Sequence, residues 1–122
     1  MNKEKLLLII IIIAAIFIRI YNYNYPPLLW DEAALGYNAF SILKTGRDEY
    51  GQFLPLIFKS FGDYKPGLYI YLTLPFVGIF GLNLLAVRLP SIILGSLIPL
   101  IAYLFTKKHS QNKLLPLLFT AI

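Results

Sequence analysis

Residues 6–18 form a run with no polar side chain, and that run limits the fold more than any other feature. It must lie in a hydrophobic core or in a lipid bilayer. Extended past Arg19 to residue 25 it gives about twenty residues, about 30 Å of helix, which matches one bilayer core. Residues 68–87 and 89–105 are also mostly apolar, and a further apolar run begins at 114 and continues to 122. The chain is 58% hydrophobic and 14% charged, with a mean hydropathy of +0.70. A soluble domain has about 45–50% apolar and about 25% charged residues. The predicted fold class is all-α integral membrane: a single transmembrane unit with spans at 6–25, 68–87 and 89–105, the start of a fourth at 114–122, and an external loop at 26–66 carrying a short interfacial helix.

The net charge of +5 does not indicate nucleic acid, because the basic residues are scattered and many flank apolar segments. There is no cysteine, which excludes disulfides and thiol chemistry. A signal peptide would share the basic head and apolar centre of the N-terminus. Here bulky Ile, Arg and Tyr stand where a small-residue cleavage site belongs, so an uncleaved span is preferred. Arg19 can snorkel, and Tyr21, Tyr23 and Tyr25 suit an aromatic belt. Asp31, Glu32, Asp48, Glu49 and Asp63 outnumber Lys44, Arg47, Lys59 and Lys65 in loop 26–66, which places that loop outside the cytoplasm. Strict alternation would then put Lys107, Lys108 and Lys113 outside as well, against the same rule; the first helix is given precedence. The run at 114–122 covers only about 14 Å of helix, so the chain reads as the N-terminal part of a longer protein.

Within the loop, Pro26-Pro27 ends the first helix. A second helix is predicted from residue 31 to about 44 and stopped by Gly46, with Asp31, Asn38, Ser41 and Thr45 as a narrow polar stripe. Residues 47–51 and 62–67 read as turns, and 53–61 as a short apolar piece broken by Pro55. Thr73 and Asn83 are polar exceptions within 68–87, where Pro75, Gly78 and Gly81 predict a kink or close packing. Arg88 and Pro90 read as a break between spans.

Asp31 and Glu32 are adjacent, so on a helix they point about 100° apart. One carboxylate can serve as general base toward an acceptor hydroxyl while the other makes structural or acceptor contacts. The competing reading is a helix N-cap with a solvated neighbour. Lys65 is either a phosphate-holding ammonium at the membrane rim or an ordinary flanking lysine, and Arg47 and Lys59 carry the same two readings. Asp48-Glu49 reads as a solvated turn. His109 stands alone, no metal-ligand set or glycine-rich phosphate loop is present, and no cofactor is predicted.

These stretches occur in a characteristic order: W-D-E at 30–32, G-Y-N-A at 36–39, T-G-R-D-E-Y-G at 45–51, D-Y-K-P-G-L-Y at 63–69 and G-L-N-L-L-A-V-R-L-P-S at 81–91. The set resembles the N-terminal part of polytopic glycosyltransferases of the protein O-mannosyltransferase and lipid A aminoarabinose transferase family. The resemblance implies inverting transfer of a sugar, such as mannose, from a polyprenyl-phosphate carrier to a protein, lipid or glycan acceptor. The setting it implies is the outer face of a bacterial-type plasma (inner) membrane. It makes Asp31 the catalytic carboxylate, acting as base or positioning the acceptor, with Glu32 beside it, and Lys65 the donor-phosphate contact. Arg47 is added as a donor-phosphate contact by its charge and place in the loop rather than by the resemblance. Gly67 stands where the family usually has a second proline, which implies a looser loop. The family has many more spans than this chain, so the chain by itself is expected to be inactive. The competing class is a non-catalytic scaffold or a subunit of a lipid-linked transporter, which would have no need for Asp31 and Lys65 at two ends of one external loop.

Overall fold

A computed structural model describes residues 3–109. The element order is α1 (Lys3–Ile20), α2 (Trp30–Thr45), β1 (Ile57–Ser60), β2 (Asp63–Pro66), α3 (Leu68–Phe80) and α4 (Leu84–His109). The described residues divide into two compact units: one is Tyr23–Pro90, and the other combines the described residues before Tyr23 with those after Pro90.

In the second of these units, α1 has no buried residue. Its Arg19 donates to the carbonyl of Ala15 at 3.0 Å. The Arg19 side chain also fills the space beside Gly95, where an added Cβ would meet Nε at 2.6 Å. Lys107 donates to the Tyr103 hydroxyl at 3.0 Å and lies 3.9 Å from Glu4.

In the Tyr23–Pro90 unit, α2 packs on α3 over a core of Ala39, Ile42, Phe58, Ile70, Val77 and Ala86. Helix α2 fills the segment predicted from 31 to about 44, and the Gly46 N–H closes it on the Ile42 carbonyl at 2.8 Å. Asn38 leaves the expected polar stripe and turns inward, where it is 1% exposed.

The segment read as an apolar piece and a turn is an antiparallel hairpin, with Ile57 opposite Pro66 and Ser60 opposite Asp63. Its two-residue turn has positive φ at both Phe61 (47°) and Gly62 (92°), the twist that tight hairpins favour. Phe58 packs edge-on against Tyr71, with ring centroids 5.9 Å apart. The hairpin corrects the all-α expectation.

The span expectation is also corrected. Among the described residues only α4 is long and apolar enough to cross a membrane, so about three transmembrane helices are not supported. Helix α1 stops at Ile20 and carries Lys3, Glu4, Lys5 and Arg19 in its 18 residues. The expected span at 68–87 is broken in its middle. Gly81, at φ 77°, terminates α3 after 13 residues, about 20 Å. Asn83 then starts α4: its Oδ1 accepts the Ala86 N–H at 2.9 Å, and its Nδ2 donates to the Phe80 carbonyl at 2.7 Å. Helix α4 continues for 26 residues through the break predicted at Arg88 and Pro90, about 39 Å. The partial span at 114–122 lies outside the described residues.

Candidate active site

The first turn of α2 sets the two carboxylates apart, as adjacent helical positions must. Asp31 points outward and its side chain is 79% exposed. Its Oδ1 receives the Lys65 ammonium at 2.5 Å, across 34 residues of chain. Lys65 is presented by β2, directly opposite the buried Phe58. Opposite residues of an antiparallel pair point to the same face, so Lys65 rises from the face on which Phe58 is buried. That explains why the lysine side chain is only 19% exposed although its ammonium reaches an exposed partner.

Glu32 is held quite differently. Arg88, from the first turns of α4, donates Nε to Oε1 and Nη2 to Oε2, each at 2.7 Å. The Leu29 N–H adds a third bond, to Oε2 at 3.1 Å, and covers one of the free donors at the start of α2. The hydrogen bond from Arg88 holds the Glu32 carboxyl below its ordinary range, outweighing the upward push of partial burial. Arg88 also donates to the carbonyls of Tyr23 at 2.5 Å and Pro26 at 2.9 Å. One guanidinium thus ties the entry to α2, the α2 N-terminus and the start of α4 together. A largely apolar cavity of about 250 Å³ adjoins this knot, with Glu32, Gly36, Tyr37 and Val87 among its lining residues. Gly36 keeps α2 close to this wall: an added Cβ would meet Val87 Cγ2 at 2.6 Å.

Arg47 serves its own loop, where Nη1 donates to the Gly51 carbonyl at 2.8 Å. Asp48 is 5% exposed and accepts the Tyr50 and Gln52 N–H groups at 3.0 and 2.7 Å, so Asp48-Glu49 is not the solvated turn its composition suggests. Asn38 braces the same loop from α2. Its Nδ2 donates to Glu49 Oε1 at 2.9 Å, and its Oδ1 accepts the Glu49 N–H at 3.1 Å.

Gly67 also departs from expectation. An added Cβ there would stand 2.7 Å from Phe58 Cε2 and 2.8 Å from the Leu56 carbonyl oxygen. The Gly67 N–H donates to that same carbonyl at 2.9 Å, a bond that proline cannot make. The residue after Lys65-Pro66 is therefore tightly fitted rather than loose.

Sequence reasoning missed Arg88, Asn38 and Asp48 as organising residues. Arg88 lies 56 residues from Glu32, and no local spacing links them. Among the described residues, no group of three or more His, Cys, Asp or Glu could hold a metal ion.

The family model for dolichyl-phosphate-mannose-protein mannosyltransferase matches residues 9–122. No curated protein and no solved structure gives a significant match to the chain.

Proposed function

From a chain that belongs to the dolichyl-phosphate-mannose-protein mannosyltransferase family, a family of membrane-embedded glycosyltransferases, we propose a polyprenyl-phosphate-sugar-dependent transferase acting at the extracytoplasmic face. The carrying observation is the meeting of Lys65 and Asp31 at 2.5 Å. It sets a cation suited to a carrier phosphate beside an exposed carboxylate suited to an acceptor hydroxyl.

In the proposed reaction the acceptor oxygen bonds to the anomeric carbon from the face opposite the carrier. Its proton passes to the Asp31 carboxylate. The bond from the anomeric carbon to the phosphate oxygen breaks, and the carrier phosphate keeps the electron pair. Lys65 offsets the charge left on that phosphate. Glu32, with both oxygens occupied by Arg88, is assigned to holding α2 in place rather than to proton transfer. Arg47 is assigned to bracing the loop that Asn38 anchors, and not to the phosphate.

The test is transfer from a panel of polyprenyl-phosphate sugars by the intact protein in membranes. Asp31→Asn should abolish transfer while leaving expression and membrane insertion unchanged. Near-normal transfer by that variant would remove Asp31 from the chemistry. Activity with a nucleotide sugar but with no carrier-linked sugar would refute the donor class.

A further inference from the structure

We propose that the Asp31–Lys65 pair is a resting latch that the carrier phosphate opens: the phosphate replaces Asp31 on Lys65 and so releases Asp31 for the acceptor. This rests on the reading above that Lys65 receives a carrier phosphate and Asp31 serves the acceptor.

The two carboxylates of α2 are held in ways that predict opposite behaviour. Glu32 takes three hydrogen bonds, two of them from a guanidinium that is itself anchored on two carbonyls. Asp31 has a single partner and a side chain open to solvent. Exposed single-contact ion pairs contribute little to stability and exchange readily. Lys65, by contrast, stands across the hairpin from the buried Phe58, on the same strand face, and its side chain is only 19% exposed. The mobile member of the pair is therefore the carboxylate.

A phosphate that reaches the Lys65 ammonium brings a second anion to the same cation. Two anions on one ammonium repel, and the phosphate is the stronger acceptor. Asp31 can rotate outward without breaking any other contact on α2. The exchange frees the Asp31 oxygen that the Lys65 ammonium had occupied, so that an acceptor hydroxyl can reach it. Donor binding thus precedes and creates the acceptor-competent state.

A water-soluble carbodiimide tests this directly, since it joins a carboxylate and an ammonium in contact through an amide with loss of water. The intact protein in detergent is treated with the reagent, digested, and scored by mass spectrometry for the Asp31–Lys65 cross-linked peptide. The arms are no addition, a short-chain polyprenyl phosphate, the matching polyprenol, inorganic phosphate, and phosphatidylglycerol micelles. The cross-link should form with no addition and with the polyprenol. It should fall about tenfold at a polyprenyl phosphate concentration about ten times its Kd. A phosphoramidate joining Lys65 to the carrier would support the exchange equally.

Lack of the cross-link in ligand-free protein overturns the latch. So does an undiminished cross-link at a carrier concentration that inhibits transfer, although the proposed function then stands. A fall with inorganic phosphate or phosphatidylglycerol but not with the carrier overturns the carrier as the occupant. A carrier phosphate that neither binds nor inhibits transfer refutes the functional reading itself.

Discussion

Replacing Arg88 by methionine removes a guanidinium that serves both oxygens of Glu32 and two backbone carbonyls. Methionine keeps the bulk of the stem, so the loss is chiefly electrostatic. Breaking a fully buried pair from one side costs about 3–5 kcal/mol. Here Arg88 is 13% and Glu32 24% exposed, so water recovers part of the loss, and about 2–4 kcal/mol is expected. The coupling in a cycle with Glu32→Gln and the double variant should be about 1.5–3 kcal/mol, because two charge-assisted bonds are shared. The assay is denaturant or thermal unfolding of the four intact proteins in detergent. The sign with pH follows from the lowered Glu32 carboxyl. Its contribution is complete above the unfolded value near 4.5 and is lost as the pH falls through the lower folded value. The coupling should therefore shrink on acidification and be unchanged between about pH 6 and 8. A coupling below about 0.5 kcal/mol at neutral pH, the scale of an exposed surface pair, would refute the clamp.

Two further substitutions test the packing around the site. Gly67→Ala should destabilise by about 1–3 kcal/mol, because its Cβ meets the Phe58 ring and a backbone oxygen; an unfolding midpoint unchanged from wild type would contradict that close fit. Asn38→Ala should cost about 1–3 kcal/mol and raise amide exchange across residues 47–52, since Asn38 bonds both the N–H and the carboxylate of Glu49. Unaltered exchange in that loop would show that Asp48 and Arg47 hold it without help from α2.

What was legible in the sequence was written in local signals. Helix α2 announced itself through Asp31 and Glu32 in its first turn and Gly46 at its end. The misread spans show where apolar content misleads. Gly81-Leu82-Asn83 stops one helix and starts the next in three residues, yet hydropathy averages across them. The hairpin was hidden for another reason. In β1 the polar Ser60 is buried at 2% while Ile57 is 60% exposed, so apolar and polar residues do not alternate with burial as a half-buried strand should. The turn residues Phe61-Gly62 also lack the usual Asn-Gly signal. Asp31 and Lys65 stand out by charge and position alone, and the family resemblance favours the functional over the structural reading of each. Arg88 was passed over because ion pairing across 56 residues leaves no trace in spacing.

The shortness of the hairpin turn makes β2 a gauge of chain length. Side chains alternate between strand faces, so one residue added or removed between Ser60 and Asp63 would turn Lys65 away from Phe58 and away from Asp31. A change of two residues at the same place would leave Lys65 on its original face. In a library of loop lengths, tolerance should therefore follow parity rather than size. Odd changes would be rejected however small, and the lysine that meets Asp31 would be lost to it without its codon ever being touched.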